Sequence, residues 1–309
     1  MSNANEIREF LMTRRAKLPP ERAGLPRHGR QRRVSGLRRE EVAFLAGISI
    51  DYYTRLERGN VRGVSMGVLD AVIRALQLDE AEHAHLLDLV RAANEEEPRR
   101  RESPTQLVRP AVARVVDAIA ALPAFVHNAR LDLLYANRLA QALYVEQLSD
   151  PIRPPNLARY VFLDSRARSF YADWEKIARD TVASLRSEAG RNPYDRAISD
   201  LIGQLSTRSE EFRVWWAQHD VRFHRSGTKR FRHPVVGDVI LAFESFTLPA
   251  DPGLKIVTYS AEPGSPTEGA LSRLLSSTPP REVQMPPRES PMPPQRESAV
   301  EMNMVGKSP

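Results

Sequence analysis

The stretch that decides the fold of the N-terminal part is residues 37–59, which read LRREEVAFLAGISIDYYTRLERG. Its apolar spacing predicts two short helices, at residues 38–46 and 49–58. A tight turn at Gly47 joins them, because glycine adopts a left-handed backbone more easily than other residues. Four residues can be buried together between these helices: Val42, Ala46, Tyr53 and Leu56.

The second of these helices leaves one side facing outward. The outward side chains in its first turns are Ile50, Asp51, Tyr52 and Arg55. A helix-turn-helix presents base-reading side chains to the major groove in this way, while its first helix crosses the DNA backbone. The stretch therefore predicts sequence-specific binding of double-stranded DNA.

The positive charge of the chain is concentrated around this stretch. Residues 1–62 hold fourteen Lys and Arg against seven Asp and Glu, whereas the whole chain has a formal net charge of +6. The densest basic run, residues 27–33, is on its own more typical of a solvated arm than of a specific site. The guanidinium group of arginine nevertheless suits phosphate oxygens and guanine edges, so the distribution of positive charge favours a nucleic-acid partner.

Composition excludes several classes of protein. The 309 residues are 41% hydrophobic and 27% charged, which allows a real core, and they include no cysteine. Disulfide scaffolds, thiol nucleophiles and cysteine-ligated metals are thereby excluded. The longest apolar stretch, residues 118–126, is far shorter than the roughly 20 residues that cross a bilayer, and the N-terminus has no apolar secretory segment. We expect a soluble, cytoplasmic and nucleoid-associated protein without membrane insertion.

Patterning divides the chain into four segments. Residues 1–95 predict an all-α domain of five helices, and residues 96–107 have the charge blocks and prolines of a linker. Residues 108–275 predict an α+β domain. Residues 276–309 contain a degenerate Pro-Pro-Arg-Glu repeat that cannot bury enough apolar surface to order itself, so we expect a disordered Pro-rich tail.

The α+β domain shows strands at both ends and helices between them. Its predicted strands are 124–128, 132–136, 221–224, 229–233, 238–248 and 254–260, and Ser226-Gly227 indicates a hairpin between the third and fourth of these. Its predicted helices are 108–121, 139–144, 173–189, 195–205 and 209–218. We therefore expect an antiparallel sheet with helices inserted between its first and last strands.

Ordered motifs in both domains resemble one family. The runs RVSGLRREE at 33–41 and SIDYYTRLERG at 49–59 are similar to the Cro/C1-type (XRE) helix-turn-helix of MmyB-like transcription regulators. The blocks that resemble the MmyB-like ligand-binding domain are NLAR at 156–159, FLD at 162–164, DWE at 173–175, HDVR at 219–222, KRFRHPVVG at 229–237 and YSAEPGS at 259–265. The resemblance covers about residues 5–275. It implies a PAS-like fold for the second domain and a small, lipid-like ligand.

Position within the helix-turn-helix predicts a role for each outward residue. Arg38 and Arg39, at the start of the first helix, and Arg58, past the end of the second, are expected to contact phosphate. Ile50 suits a thymine methyl group, and Asp51 either accepts from a cytosine amino group or stabilises the start of its own helix. The predicted DNA-binding set is Arg38, Arg39, Ser49, Ile50, Asp51, Tyr52, Arg55 and Arg58.

Aromatic residues of the second domain either fill its core or line an apolar cavity. The candidate ligand-binding set is Phe125, Tyr135, Phe162, Tyr171, Trp174, Arg222, His224 and Phe243. Within it, Tyr135, Arg222 or His224 could orient a ligand, and Arg222 could bind a carboxylate. A cavity of this kind would suit a fatty-acid-like molecule.

Catalytic and metal-binding signatures are not found in the sequence. His127, His219, His224 and His233 match no standard spacing of metal ligands. No Gly-x-Ser-x-Gly motif or Gly-rich phosphate loop occurs, so we expect neither an enzyme nor a cofactor.

Together these patterns predict a DNA-binding transcription regulator, acting as a homodimer on an inverted repeat, whose second domain senses a small apolar effector. The alternative is a ligand-free repressor whose second domain serves dimerisation or partner docking.

Overall fold

The N-terminal region of the computed structural model is entirely helical. The structure describes residues 3–26, 34–95, 106–222 and 225–277. The helices of this region are α1 (Asn3–Lys17), α2 (Arg39–Ala46), α3 (Ile50–Glu57), α4 (Met66–Ala75) and α5 (Glu80–Asn94), with a short 3-10 turn at Pro20–Ala23. The predicted basic run at 27–33, most of the predicted linker, and the tail from residue 278 lie outside the described residues.

Side-chain caps set the starts of three of these helices. Ser49, Ser65 and Asp79 each accept a hydrogen bond from the backbone N–H three residues further along the chain. At Asp79 the carboxylate of Glu82 also returns to the backbone N–H of Asp79, at 3.1 Å, which completes a capping box. These contacts confirm the starts that the sequence predicted at Ser49 and Asp79.

The α+β domain begins with one helix and two strands. These elements are α6 (Pro110–Ala118), β1 (Ala124–His127) and β2 (Leu133–Ala136). The inserted helices are α7 (Arg138–Leu143), α8 (Leu157–Leu163), α9 (Ala167–Phe170), α10 (Trp174–Arg191), α11 (Arg196–Arg208) and α12 (Glu210–Trp216). The closing elements are β3 (Ser226–His233), β4 (Gly237–Thr247), β5 (Lys255–Ser260) and α13 (Pro266–Ser277).

The five strands form one open antiparallel sheet in the order β2-β1-β5-β4-β3. Alternate residues of β3, β4 and β5 face a core shared with α7, α8, α9, α10 and α13. On the opposite face of the sheet, α6 covers β1 and β5. A further apolar cluster joins α8, α10, α11 and α12. Helices inserted between the second and third strands agree with the predicted layout.

The predicted hairpin at Ser226-Gly227 is wrong. These two residues begin β3, which continues to His233 and pairs with β4 from Ser226 opposite Glu244 to His233 opposite Gly237. The turn lies at residues 234–236, and Gly237 after it has φ +76°. Gly227 serves close packing instead, because a Cβ there would lie 3.1 Å from the ring of Phe243.

Residues 221–224 do not form the predicted strand where they are described. Val221 is outside any strand and is buried in the apolar core of the helical region. Helices α8, α9 and α13 were not predicted. Met1–Pro279, which includes both the helical region and the α+β domain, forms one compact unit. Across the described residues, no helix combines the length and the apolar character needed to cross a membrane.

Candidate functional site

Helix α3 presents one polar side to solvent and buries the other. On its inner side Tyr53 and Leu56 are fully buried, whereas Ile50 on its outer side is 46% exposed. Asp51, Arg55 and Arg58 are also exposed. Three of the four side chains that the sequence predicted to face outward, Ile50, Asp51 and Arg55, are therefore exposed.

Two residues of the predicted DNA-binding set have less freedom than the rest. Tyr52 is half-buried and packs against the core of the helical region. The hydroxyl of Ser49 accepts a hydrogen bond from the Tyr52 N–H at 3.1 Å, so its side chain serves as the helix cap. Gly47, at φ +66°, makes the left-handed turn between α2 and α3 as predicted.

A buried carboxylate, not predicted from the sequence, fixes α3 against its neighbours. Glu57 is 1% exposed, and its Oε1 accepts from Arg15 Nε of α1 at 2.6 Å. Its other oxygen accepts from Arg39 Nε of α2, and the Tyr53 hydroxyl donates to Oε1 at 3.5 Å. Glu57 therefore ties α1, α2 and α3 together, and it orients Arg39.

The two predicted phosphate contacts at the start of α2 both have acidic partners. Arg38 Nη1 lies 3.2 Å from Glu40 Oε1, and the Arg38 backbone N–H donates to Glu41 at 2.6 Å. Arg39 binds Glu57, yet its side chain remains 45% exposed. Both guanidinium groups thus remain partly exposed, and acidic groups offset part of their charge.

A partly open cavity of about 60 Å³ lies between the sheet and helices α8 and α10. Its walls combine apolar side chains of β1, α8, α10 and β5 with a few polar groups. It is lined by Phe125, His127, Leu131, Tyr144, Leu157, Val161, Tyr171, Ile177, Asp180, Thr181, Ser184, Lys229 and Val257. Of the predicted ligand-binding set, Phe125 and Tyr171 lie in this wall.

The other members of that set are placed elsewhere. Tyr135 packs on the α6 side of the sheet and donates to Asp117 Oδ2 at 2.7 Å. Trp174 donates from its indole N–H to the Val161 carbonyl at 2.9 Å, and Phe162 packs between Trp174 and Phe212. These three side chains are half-buried and pack against the edges of the apolar clusters.

The remaining residues of the predicted ligand-binding set are Phe243, Arg222 and His224. Phe243 is buried on β4, under the side chain of Lys229. Arg222 is exposed, and its Nη1 lies 3.9 Å from Oδ1 of Asp180, a residue of the cavity wall. His224 lies outside the described residues.

Two polar residues of the cavity wall, Lys229 and Tyr144, are joined by hydrogen bonds through the hydroxyl of Tyr259 behind them, which the sequence analysis did not predict. Lys229 Nζ donates to the Tyr259 hydroxyl at 3.2 Å, and that hydroxyl is 2.7 Å from the hydroxyl of Tyr144. Burial lowers the pKa of Lys229 to about 8. Burial also lowers the pKa of His127 to about 4, so this imidazole is neutral at pH 7. The signal for Lys229 was present, because it shares an inward register with Phe231 and His233.

A dense polar contact joins the helical region to the α+β domain. We call it the junction; it comprises Glu6, Arg14, Glu82, Arg186, Trp216, His219 and Asp220. Arg186 of α10 is 1% exposed, donates to Glu6 Oε2 of α1 at 2.8 Å and stacks on the Trp216 ring at 3.9 Å. It also donates to the Trp216 carbonyl and to His219 Nδ1.

Arg14 of α1 makes the second half of the junction. It binds Glu82 of α5, and its Nη2 donates to Asp220 Oδ1 and to the His219 carbonyl, each at 2.9 Å. Burial opposes ionisation of Asp220, but hydrogen bonds from Lys17 and Arg14 outweigh it and keep the pKa of Asp220 below its usual value. Burial lowers the pKa of Arg186 to about 10, so Arg186 stays protonated at pH 7.

Helices α5 and α10 approach each other closely beside the junction. Gly190 lies against His85, where a Cβ would come within 2.5 Å of the imidazole ring. Burial and neighbouring arginines lower the pKa of His85 to about 3, so it is neutral. The junction is therefore closely packed as well as charged.

Two comparisons agree with this architecture. Residues 21–86 match a helix-turn-helix domain. The fold and the exposed face of α3 thus define a DNA-binding transcription regulator with a ligand-binding domain. Residues 108–275, more than half of the chain, match the MmyB-like transcription regulator ligand binding domain, and the chain belongs to this family. Neither matched family is an enzyme family. Comparison with curated proteins finds no match.

In the part of the chain that the structure describes, no group of three or more His, Asp or Glu side chains is placed to hold a metal ion. The four histidines considered above include His127 and His219, which burial keeps neutral.

Proposed function

We propose that an apolar, fatty-acid-like ligand in the cavity under α10 controls how the α3 face binds DNA. The observation that carries the proposal is the double role of α10. Ile177, Asp180, Thr181 and Ser184 of this helix line the cavity. Arg186 and Gly190, further along the same helix, contact α1 and α5. A displacement of α10 at the cavity would therefore also shift its contacts with α1 and α5 of the DNA-binding region.

The size of the cavity indicates that a ligand must displace its wall. About 60 Å³ holds only a few waters, because a buried water needs roughly 10–15 Å³ of such space. Pockets for small molecules usually measure roughly 300–1,000 Å³. An acyl chain would thus have to separate α8 and α10 from the sheet.

Two wider clefts suit such a ligand less well. One, of about 540 Å³, is lined largely by charged and polar groups such as Arg130, Arg153 and Arg159. The other, of about 620 Å³, includes Arg91 and Glu188 in its wall. Because burying an apolar chain among charged groups gains little, the cavity beneath α10 is the better site.

The junction contains buried polar atoms that its contacts leave unsatisfied. Within the described chain, Arg14 Nε, Arg186 Nε and Trp216 Nε1 of the junction are buried without a hydrogen-bond partner, as are both ring nitrogens of the adjoining His85. Each such group costs about 1–3 kcal/mol. The junction is consequently less stable than its number of ion pairs suggests, and a ligand needs only a few kcal/mol of differential affinity to open it.

We further propose that the α+β domain has a PAS-like fold and that the chain binds DNA as a homodimer. The open antiparallel sheet with helices inserted between β2 and β3 supports the first proposal. The second rests on the two-fold symmetry that helix-turn-helix proteins share with their operators.

The α3 face gives the first test. Arg55→Ala should weaken binding to the selected operator by about 1–3 kcal/mol and relax the preference at one base pair. Arg39→Ala should weaken binding to all DNA sequences to a similar degree, since Arg39 is proposed to contact phosphate. Genomic fragments selected by the wild-type chain supply the operator, and fluorescence anisotropy measures the affinities and the stoichiometry. Equal loss of specific and non-specific binding in both variants would contradict these roles, and one chain per operator would contradict the homodimer.

The cavity gives the second test. Saturated fatty acids of 8–16 carbons should raise the thermal midpoint of the chain, since a ligand present at 100 times its Kd stabilises by about 2.7 kcal/mol. The same acids should change operator affinity. Thr181→Met, which fills the cavity, should abolish both responses, whereas Thr207→Met on α11 should abolish neither. No shift with any acid, together with unchanged DNA binding, would favour the ligand-free repressor.

A further inference from the structure

We propose that the arginine-lined cleft between α8 and α11 binds a small phosphorylated sugar through its phosphate group. The cleft has a volume of about 540 Å³, within the roughly 300–1,000 Å³ of sites for small molecules. In the described chain it shares no lining residue with the cavity beneath α10. The inference therefore goes beyond the proposed function and does not depend on it.

Three arginines from separate segments of the chain line this cleft. Arg130 lies in the turn between β1 and β2, Arg153 precedes α8, and Arg159 lies in the first turn of α8. The same wall contains two carboxylates, Asp132 and Asp200. The guanidinium groups thus outnumber the acidic groups, and arginine binds phosphate oxygens through pairs of parallel donors.

Asp150 and Asn156 hold these three arginines next to one another. Arg153 Nη1 donates to the Asp150 carbonyl at 2.6 Å, and Arg159 Nε lies 3.5 Å from Asp150 Oδ2. Asn156 is 2% exposed, and its Nδ2 donates to the Arg130 carbonyl at 2.7 Å. Its Oδ1 accepts from the Arg159 backbone N–H at 2.9 Å. The cations are therefore positioned by fixed contacts, as a binding site requires.

Each guanidinium group keeps donors that the described residues do not use. Arg130 uses only Nε, which donates to Asp132 Oδ2 at 3.0 Å. Arg153 uses only Nη1, which donates to backbone carbonyls. Arg159 donates from Nη2 to the Pro154 carbonyl at 2.9 Å, while its buried Nε has no hydrogen-bond partner within the described chain. Burying a donor without a partner is costly, and a phosphate oxygen would supply one.

The α11 side of the cleft suits hydroxyl groups better than a second anion. Asp200 is 71% exposed and lies 3.7 Å from Arg196, so its carboxylate can accept from hydroxyls but would repel another phosphate or carboxylate. The carboxamide of Gln204 can both donate and accept. No aromatic ring lines the cleft among the described residues, so a nucleotide base would have no surface for stacking. One phosphate joined to a polyol is therefore the class of ligand that fits.

Isothermal titration of the full chain with inorganic phosphate, with glucose and with a panel of pentose and hexose monophosphates tests the site. Phosphate should bind and glucose should not. At least one sugar phosphate should bind about tenfold more tightly than phosphate, because its hydroxyls add hydrogen bonds. Arg153→Met should weaken phosphate and sugar phosphate alike by about tenfold, as the loss of a hydrogen bond to a charged group. Arg153→Lys should lose less, because the charge remains.

A second variant tests the α11 side of the cleft. Asp200→Asn should weaken the sugar phosphate by about fivefold, because a charged acceptor of its hydroxyls becomes a neutral one. The same variant should bind inorganic phosphate at least as tightly as the wild type, since a negative charge is removed. Equal weakening of both ligands would contradict the placement of the sugar against α11.

Two control variants distinguish the cleft from other arginines. Arg208→Met removes an exposed cation from the far end of α11 and should bind both ligands like the wild type. Arg39→Ala changes the proposed DNA surface and should also leave the cleft unaffected. Circular dichroism at 222 nm confirms that each variant is folded.

Several outcomes would overturn the proposal. Phosphate that does not bind, or that is lost in Arg39→Ala and kept in Arg153→Met, would show that the cleft is not a phosphate site. Sulfate that binds as tightly as the best sugar phosphate would exclude the sugar and leave a general anion site. Loss of operator affinity in Arg153→Met, without binding of any sugar phosphate, would show that the cleft contacts DNA instead. None of these results depends on whether fatty acids bind beneath α10.

Discussion

Gly59→Ala should lower the free energy of unfolding of the helical region by about 4 kcal/mol, whereas Gly63→Ala should lower it by about 1 kcal/mol. Both glycines have a left-handed backbone, with φ +85° and +72°, so both variants carry the conformational cost of a side chain there. The two positions differ in the space available for a side chain. A Cβ on Gly59 would lie 2.3 Å from the carbonyl oxygen of Ala4, while nothing lies within 4 Å of a Cβ on Gly63.

Urea unfolding followed by circular dichroism at 222 nm measures both variants. The collision at Gly59 involves backbone atoms of α1, which cannot rotate away as a side chain can. Gly59→Ala should therefore also lose operator binding at temperatures where Gly63→Ala retains it. Equal destabilisation of the two variants would mean that α1 does not pack on the end of α3 as described.

Arg186→Met should lower the free energy of unfolding by about 3 kcal/mol, because it leaves the carboxylate of Glu6 and the carbonyl of Trp216 without their buried partner. Arg191→Met is the matched control. Arg191 also joins α10 to α5, through Asp88 at 3.1 Å, but it is 38% exposed. Exposed ion pairs contribute little, so this variant should lose no more than about 1 kcal/mol.

The Arg186 variant also tests the coupling between the ligand and DNA. If the junction transmits the movement of α10, Arg186→Met should bind fatty acid but show an operator affinity that no longer changes with it. Arg191→Met should keep most of the wild-type response. A destabilised Arg186→Met that still responds fully would show that Arg186 has a structural role only.

The α3 face could be predicted because its signals are local. The caps at Ser49 and Asp79 and the burial of Tyr53 and Leu56 depend on residues within one or two helical turns. The hairpin prediction failed at the same local level. A Ser-Gly pair indicates a turn when read alone. In the structure, the missing side chain of Gly227 instead leaves room for the ring of Phe243 from the neighbouring strand.

The junction and the cavity could not be predicted from local patterns. Arg14 meets Asp220, and Glu6 meets Arg186, across about 200 and 180 residues of chain. No pattern within one helix indicates such a partner. The cavity depends on sheet register, which decides that Phe125 faces α10 and that Tyr135 faces α6. Aromatic composition identified the domain that holds the cavity, and register decided which residues line it.

Val221 gives the molecule a practical property. This side chain comes from the segment between α12 and β3, yet it belongs to the apolar core of the helical region. Severing the chain near residue 100 would therefore leave a hole in the N-terminal piece and an uncompensated Arg14. A fusion of this helical region to a different sensor domain must therefore include residues 216–222, or the surface that they cover must be redesigned.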